Sequence, residues 1–325
     1  MALSARIKLL MATLAFTAGT FAAGPANAYP DQPIRLVVPY GAGSATDILA
    51  RQVGESLGKS LNKAVIVENR PGASGSIAAT YVARAPSDGY TLLFGTTQVI
   101  TVNPYLIKDL AYDPQNDFTP VARLFNVGTV LVTSPKLSVQ SLDELLAHIR
   151  SFPAKSSFGS TGFGTAAHLP GAYLAKLEKL EITHVPYTNS GQMMTDVIRG
   201  EVTLLFYPPQ GVKGFIDSGE MKPLAWTGTN RSAQFPDVPT MQELGYDDFL
   251  FGAWYGVFAP QGTPAEIITQ LSAELKKVTQ DEKVVNSVER SGAEVDYAPA
   301  SEMDTFLKNE SERFSHITSV IGPDE

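Results

Sequence analysis

The sequence predicts an α/β protein of two lobes, each built on a parallel β-sheet. Short β-rich segments alternate with helical segments early in the chain and again in its middle, which is typical of βαβ units. The length of 325 residues is about twice that of a single domain. Two long β-type runs, residues 121–133 and 249–259, are expected to cross between the lobes, with a hinge at the crossings.

The individual elements support this organisation. In the first lobe the apolar spacing predicts strand 34–38, helix 48–61, strand 65–68, helix 77–85 and strand 90–94. In the second lobe it predicts helix 142–149, strand 156–158, helix 165–180, strand 182–185, helix 193–198 and strands 202–206 and 223–227. Two further helices, 267–278 and 300–317, are expected to return to the first lobe. The predicted division is therefore residues 29–128 with 255–325 for the first lobe and residues 129–254 for the second.

The composition excludes several functional classes. The chain has no cysteine, which removes disulfides, iron–sulfur clusters, Cys-ligated zinc and cysteine nucleophiles. Its formal net charge of −8 supplies no basic surface for nucleic acid. The histidines form no H-x-x-x-H pair, so neither a metal site nor a cofactor is predicted. Those histidines are His148, His168, His184 and His316.

The N-terminus has the pattern of a secretory signal peptide. Arg6 and Lys8 precede an apolar run that ends near Phe21, and residues 26–28 (Ala-Asn-Ala) have the small-x-small form that signal peptidase cleaves. The run is too short to span the ~30 Å of hydrocarbon in a membrane. We therefore expect cleavage near Ala28 and a protein of the bacterial periplasm without a lipid anchor.

A glycine-rich loop follows the first predicted strand and leads into a helix. Glycine lets backbone N–H groups turn toward a ligand, and a helix N-terminus adds unpaired donors, so such a loop binds an anion without Lys or Arg. Ser44 and Asp47 also fit a capping box, so a well-capped helix after a tight turn is the alternative. The candidate ligand-binding residues of this loop are Tyr40, Gly41, Ala42, Gly43 and Ser44.

A second glycine-rich loop stands at the corresponding place in the second lobe. Ligands of open α/β sheets bind at the carboxyl ends of the strands, where both loops lie, so the pair predicts two jaws that close on an anion. His168 is expected in the first turn of the following helix, where it either donates a hydrogen bond to the ligand or packs. The candidate residues of this loop are Ser160, Thr161, Gly162, Phe163, Gly164 and Thr165.

Two enzyme motifs are incomplete. Gly41 and Gly43 with Glu68 resemble a dinucleotide fingerprint, but Thr46 replaces the third glycine. The segment 72–76 lacks the final glycine of a G-x-S-x-G nucleophile turn. A periplasmic enzyme is therefore the weaker alternative to a binding protein.

An ordered series of segments resembles the Bug-type periplasmic solute-binding proteins of tripartite tricarboxylate transporters. Any one segment is weakly specific, whereas the order of the whole series is highly specific. The series is YPDQPIRLVVPYGAG at 29–43 with Asp47, VENRPGASG at 67–75, DGYTLL at 88–93, STGFGT at 160–165 with His168, HVPY at 184–187, PDVPT at 236–240 and WYGVFAPQGTP at 254–264.

The resemblance implies a type II-like periplasmic binding protein with a cleft between two Rossmann-like lobes. Such a protein captures a small carboxylate through backbone amides of the two loops and delivers it to the membrane permease subunits of the transporter. A monomer is expected, and a receptor that feeds a signalling sensor is the alternative to transport. Polar residues that follow other strands would fix the far end of the ligand: Thr96, Thr97, Gln98, Tyr187, Thr188, Asn189 and Tyr207.

The sequence leaves the identity of the carboxylate open. Aromatic rings at or beside the predicted cleft favour an aromatic dicarboxylate such as terephthalate, unless those rings pack the lobes instead. Aliphatic mono-, di- and tricarboxylates are the alternatives. Trp254 is expected to pack, and Arg70 is expected to form a structural ion pair rather than a ligand contact. The aromatic residues concerned are Tyr40, Phe163, Tyr187 and Tyr207.

Overall fold

The computed structural model of the protein describes residues 29–322, and the predicted signal peptide, residues 1–28, lies outside the described residues. Residues from Gln32 onward form one unit, which is built on two β-sheets. The described residues before it, 29–31, contain no helix or strand. In the described part of the chain, no helix is both long and apolar enough to cross a membrane.

The secondary structure alternates between strands and helices over most of the described chain. The strands are β1 (Ile34–Val38), β2 (Val65–Asn69), β3 (Thr91–Thr96), β4 (Phe118–Gly128), β5 (Val130–Thr133), β6 (Ser157–Ser160), β7 (Thr183–Pro186), β8 (Leu204–Tyr207), β9 (Lys222–Trp226), β10 (Gly252–Pro260) and β11 (Glu294–Pro299). The helices are α1 (Ala45–Leu61), α2 (Ser76–Ala83), α3 (Asn103–Leu106), α4 (Leu142–Ser151), α5 (Leu169–Leu177), α6 (Ser190–Arg199), α7 (Pro209–Asp217), α8 (Ala265–Val278), α9 (Glu282–Arg290) and α10 (Ala300–Ile321).

Both sheets combine parallel βαβ strands with antiparallel additions. The first sheet has the order β11-β4-β10-β3-β1-β2, in which β1, β2 and β3 are parallel and β10 is antiparallel to β3 and β4. The second has the order β7-β6-β8-β5-β9, in which β6, β7 and β8 are parallel and β5 is antiparallel to its neighbours. The carboxyl ends of the parallel strands therefore share one edge in each sheet.

Burial and capping explain why the first βα unit forms. Residues 36–38 of β1 are fully buried, as expected for a central parallel strand with both faces covered. Ser44 caps α1 by accepting a hydrogen bond from the Asp47 amide at 3.2 Å. Asn62 ends the helix in the left-handed conformation with φ of 51°. The cap places the first turn of α1 directly beyond the end of β1.

The chain passes between the two sheets at two adjacent points. Thr129 joins β4 to β5, and the return path leaves β9 at Thr227 and enters β10 after Phe251. The Thr129 amide donates to the Thr227 hydroxyl at 2.7 Å, and the Thr227 amide donates to the Thr129 carbonyl at 3.0 Å. The Thr227 hydroxyl also donates to the Phe251 carbonyl. These three buried residues form a crossing bridge that ties the outgoing chain to the returning chain.

Helix α10 packs against the cores of both sheets. Met303, near its N-terminus, lies in a hydrophobic cluster with Val37 of the first sheet. Phe314, farther along, lies in the cluster that contains Leu131 of the second sheet. The second cluster also includes Ile317 and Ile321. The predicted division into lobes stays a prediction, and α10 contributes side chains to both cores.

The start of α5 corrects the sequence analysis. The predicted helix begins at residue 165, whereas α5 begins at Leu169, so His168 is its N-cap residue and not part of its first turn. Gly162 and Gly164 have φ angles of 123° and 72°, which an α-helix does not contain. Pro170 lacks an N–H group and is tolerated only in a first helical turn. These constraints keep residues 161–168 in a loop.

Several elements were absent from the sequence prediction. Helices α3, α7 and α9 and strand β11 were missed, and so was the π-helix Gln98–Val102 that leads into α3. The other predicted strands and helices are confirmed, with shifts of boundary. The run 249–259 contains a strand only from Gly252 onward.

Phe314 tests the contribution of α10 to the second core. Its side chain is 1% exposed, so Phe314→Ala should lower the free energy of unfolding by about 3–5 kcal/mol, because it removes apolar burial and leaves a cavity. Glu312→Ala, on the exposed side of the same helix, is the matched control and should change it by less than about 0.5 kcal/mol. Urea unfolding followed by circular dichroism measures both, and equal losses would contradict this packing.

Candidate functional site

A cavity of about 310 Å³ lies at the carboxyl ends of parallel strands from both sheets. Its walls come from the segments that follow β1 and β3 in the first sheet and β6 in the second. The return crossing, residues 251–255, and Phe314 of α10 complete it. Open α/β sheets bind ligands at such edges. A molecule in this cavity would contact elements of both sheets.

The wall from the first sheet carries fixed polar groups. Tyr40, which follows β1, has its hydroxyl 3.5 Å from the Thr96 hydroxyl at the end of β3. The Thr97 hydroxyl accepts the Trp254 amide at 2.7 Å. The Gln98 side chain donates to the first residue of α3 at 2.8 Å. These hydrogen bonds hold the polar side chains in place beside the cavity.

Tyr255 of β10 provides a second phenol hydroxyl. This hydroxyl is hydrogen-bonded to Thr46 in the first turn of α1, and the Tyr255 ring stacks on Phe94 with the ring centroids 5.8 Å apart. Burial raises the pKa of Tyr255 to about 12. Burial also raises the pKa of Tyr40. Both hydroxyls therefore stay protonated at neutral pH and can donate to an anion.

The wall from the second sheet is formed by the second loop, residues 161–168. Four of its residues line the cavity, and they are Phe163, Gly164, Thr165 and Ala166. The Phe163 ring is 44% exposed. Leu106 of α3 packs so closely on Gly164 that a Cβ at this position would overlap it. The second loop therefore touches a helix of the first sheet beside the cavity.

The cavity lining is electrically neutral. None of the described residues that line it is Asp, Glu, Lys or Arg. No cluster of three or more His, Asp or Glu within residues 29–322 could hold a metal ion. An anion in this cavity would be held by uncharged N–H and O–H donors, whose hydrogen bonds strengthen where water is excluded.

In the first loop, residues 39–44, two backbone amides donate to groups within the loop or in the first turn of α1, and not to the cavity. The Gly43 amide donates to the Asp47 carboxylate at 2.8 Å, and the Ser44 amide donates back into the loop at 3.2 Å. Residues 41–43 are exposed and do not line the cavity. Thr46 does line it, and its amide has no acceptor among the described residues. The available amide donor on this side therefore lies in the first turn of α1.

Asp47 connects the first loop to its surroundings. Its carboxylate accepts hydrogen bonds from Arg51 at 3.0 Å and from Asn69 at 2.8 Å, in addition to the Gly43 amide. Burial alone would raise the pKa of Asp47, but the hydrogen bonds from Arg51, Gly43 and Asn69 outweigh burial and lower it. Asn69 also donates to the Tyr40 carbonyl at 2.9 Å. The Asp47 carboxylate thereby holds the backbone that presents Tyr40 to the cavity.

The second loop also engages its amides internally. The Gly162 amide donates to the Ser160 hydroxyl at 3.0 Å, and the Gly164 amide donates to Nδ1 of His168 at 3.2 Å. The Thr165 hydroxyl donates to the Gly162 carbonyl at 2.7 Å. Ser160 and His168 are buried and do not line the cavity, so they lie behind the loop.

Two other amides of the second loop remain available. Phe163 and Ala166 line the cavity, and neither amide has an acceptor within the described chain. The glycines thus shape the loop, while the amides of neighbouring residues are left to donate. The sequence predicted the loop but not which of its amides are available.

The remaining predicted residues do not line this cavity. Tyr187 donates to a carboxylate of α6 at 2.8 Å, and its ring packs with Tyr207 against a hydrophobic cluster of the second sheet. Asn189 caps α6 by accepting the amides of its first turn. Thr161 and Thr188 are exposed outside the cavity. The two tyrosine rings pack against the core of the second sheet, and the Asn189 side chain caps α6. These contacts account for their absence from the cavity lining.

The sequence analysis missed ten of the lining residues, among them Thr46, Phe251 and Tyr255. The others are Ser74, Val102, Ala166, Leu169, Gly252, Ala253 and Phe314. Tyr255 and Trp254 alternate along β10, so their side chains lie on opposite faces. Trp254 is buried and its indole N–H donates to Glu310 at 3.1 Å, which agrees with its expected packing role. The period-2 alternation could therefore have identified Tyr255 as the residue that faces the cleft.

Comparisons with known proteins point to one family. Residues 49–322 match the family model of the tripartite tricarboxylate transporter family receptor, TctC. Protein BugT of Bordetella pertussis is 34% identical, over 94% of this chain and 94% of its own length. The solved structure of R. palustris Rpa4515 with adipate is 32% identical, with a TM-score of 0.77 over 90% of this chain and 98% of that one. MatC from Rhodopseudomonas palustris with bound malate is 29% identical, with a TM-score of 0.73 over 90% and 100% of the two chains.

The family model covers most of the described chain, including β6 and β10. The match to BugT confirms the predicted resemblance to Bug-type proteins. The solved structures confirm the predicted α/β periplasmic-binding-protein fold. The chain therefore belongs to the TctC family, the periplasmic solute-binding receptors of tripartite tricarboxylate transporters.

Proposed function

We propose that this protein captures a small carboxylate in the cavity between its two sheets and delivers it to the membrane permease of a tripartite tricarboxylate-type transporter. The observation that carries the proposal is the neutral cavity, which has N–H and O–H donors on both walls. Family membership supports the receptor role and its place in the periplasm. The adipate and malate in the two R. palustris structures support the ligand class.

The cavity suits a carboxylate despite the acidic chain. With a formal net charge of −8, long-range attraction does not draw an anion in, so capture depends on local donors. Donors that are already oriented reorganise little when the ligand binds. In this proposal the amides of Phe163 and Ala166 donate to one end of the ligand, and Thr46 with the hydroxyls of Tyr40 and Tyr255 donates to the other.

Donors at both ends favour a dicarboxylate. Adipate and malate each carry two carboxyl groups, in agreement with this arrangement. Phe163, Phe251 and the two tyrosine rings give the cavity aromatic faces, so terephthalate stays a candidate beside aliphatic acids. Tyr187 and Tyr207 do not line the cavity, so they no longer argue for an aromatic ligand.

The lining also supports binding rather than catalysis. Among the described residues that line the cavity there is no carboxylate, lysine or histidine to move a proton. The ligand is therefore expected to leave unchanged, and a receptor that serves a signalling sensor would show the same binding behaviour. Uptake by cells that carry or lack the permease distinguishes transport from signalling.

The first experiment is thermal unfolding of the protein from Tyr29 onward against malate, citrate, adipate, benzoate, phthalate and terephthalate. A ligand that binds only the native state adds about 2.7 kcal/mol to the free energy of unfolding at 100 times its dissociation constant. We expect at least one dicarboxylate to raise the midpoint more than benzoate does. Calorimetry confirms saturable binding, and a flat panel would remove the support for a carboxylate ligand.

Tyr255→Phe tests the phenol hydroxyl as a ligand donor. Removal of one hydrogen bond should weaken dicarboxylate binding about 5- to 10-fold, equivalent to about 1–1.4 kcal/mol. Tyr297→Phe is the matched control, because its hydroxyl bonds to Ser272 and does not line the cavity. Calorimetric titration measures both variants, and unchanged affinity in Tyr255→Phe would exclude the hydroxyl from ligand contact.

Asp47→Asn tests the support of the first loop. The pKa of Asp47 is lowered in the folded protein, so its stabilisation is complete above the unfolded-state pKa of about 4 and is lost as the pH falls through the folded value. The variant should lose about 2 kcal/mol of stability at pH 7 and show a weaker loss below about pH 4.

The control for Asp47 is Asp237→Asn, at an exposed carboxyl. Urea unfolding between pH 2.5 and 7 gives the pH profile, and titration with the best ligand gives the affinity. Identical profiles for both variants would show that Asp47 does not tie the loop down.

A further inference from the structure

Two histidines lie behind the second loop, on the side away from the cavity. His168 is fully buried, and neither it nor His184 of β7 lines the cavity. Their ring centroids are 4.5 Å apart, and His184 stacks on Phe158 with centroids 4.9 Å apart. Phe163, which does line the cavity, has its ring centroid 4.9 Å from that of His168. The imidazole pair is therefore one layer removed from the cavity.

Each imidazole is joined to the backbone of the loop by a short chain of hydrogen bonds. The Gly164 amide donates directly to Nδ1 of His168 at 3.2 Å, which requires this nitrogen to be unprotonated. Nε2 of His184 lies 2.7 Å from the Ser160 hydroxyl, and that hydroxyl accepts the Gly162 amide at 3.0 Å. The Gly164 amide thus points to His168, and the Gly162 amide points to the Ser160 hydroxyl that contacts His184, so neither donates into the cavity.

The direction of these two amides sets the shape of the loop. A peptide group is planar, so holding the Gly164 N–H fixes the whole peptide between Phe163 and Gly164. Gly164 has a positive φ of 72°, and it has no room for a Cβ because Leu106 packs on it. The loop then follows one path, in which Phe163 and Ala166 stand at the cavity.

We propose that His168 and His184 are positioning residues. His168 holds the Gly164 amide directly, and His184 holds the Gly162 amide through the Ser160 hydroxyl, so that the loop presents the Phe163 and Ala166 amides to the ligand. The inference rests on the proposed function for its ligand and deepens it. It assigns both histidines a hydrogen-bonding role that ring packing alone would not require. For His168 the acceptor nitrogen Nδ1, and for His184 the hydrogen bond of Nε2 to Ser160, is then the property that matters, rather than the shape of the ring.

The experiment compares His168→Asn with His168→Phe in the protein from Tyr29 onward. The Asn side-chain oxygen can take the place of Nδ1, whereas Phe keeps a ring of similar shape but has no acceptor. We expect Asn to retain affinity within about 3-fold and Phe to weaken dicarboxylate binding at least 10-fold. The probes are adipate, malate and terephthalate, titrated by calorimetry. His148→Asn, on α4 of the same lobe, is the control and should bind as the original protein does.

A second readout needs no ligand. Amide hydrogen exchange followed by NMR should show the Gly164 amide exchanging at least 10-fold faster in His168→Phe than in His168→Asn. If the original protein binds none of the probes, the proposed function fails, while the exchange rates still decide the positioning role. Unchanged Gly164 exchange in the Phe variant, or equal loss of affinity in both variants, would overturn the proposal.

A second pair of variants, at His184, tests the same proposal if His168→Phe does not fold. His184 is only partly buried, and its Nε2 is the atom that Gln reproduces. We expect His184→Gln to preserve Gly162 exchange and affinity, and His184→Phe, which can still stack on Phe158, to lose both. Equal behaviour of the two would show that the ring only packs.

Discussion

The crossing bridge is the constraint on which the rest of the site depends. Thr129 and Thr227 pair through backbone and hydroxyl groups at the place where the chain changes sheets, and both are buried. A buried pair of this kind strongly resists separation, because unpaired polar groups in an apolar interior are costly. It fixes where Phe251 and Tyr255 lie between the two sheets. The carboxyl edges of the parallel strands then form the two walls of a single cavity.

In the proposed mode of binding, neutral donors hold the ligand, and the groups that support those donors stand one layer behind the cavity lining. Asp47 supports the first loop and the imidazoles support the second, yet none of them lines the cavity. The hydrogen bonds of Asp47 and His168 to the two loops fix the positions of the donors that line the cavity. Because the cavity holds no fixed counter-charge, the proposed selectivity among acids would depend on the spacing of the donors and on the aromatic faces.

The sequence predicted those strands, turns and helix caps that depend on residue types close together in the chain. β1, the glycine loop after it and the capping role of Ser44 could be read from residue types, because turns and caps demand particular residues. The internal use of the Gly43 and Gly164 amides could not, since the acceptors Asp47 and His168 also fit simpler capping or packing roles. Tyr187 was expected in the cleft for its position after a strand; its hydroxyl bonds to an aspartate on α6 and its ring packs on a core of the second sheet, which sequence reasoning could not foresee.

Helix α10 has a consequence for how the chain folds. The core of the second sheet contains Leu131 and also Phe314, so closing it joins residues separated by most of the sequence. Contacts of such high sequence separation slow folding, because the loop entropy must be lost before the contact forms. Neither core is complete until Met303 and Phe314 have been synthesised. A nascent chain of this protein would therefore complete its packing only when its last helix is available.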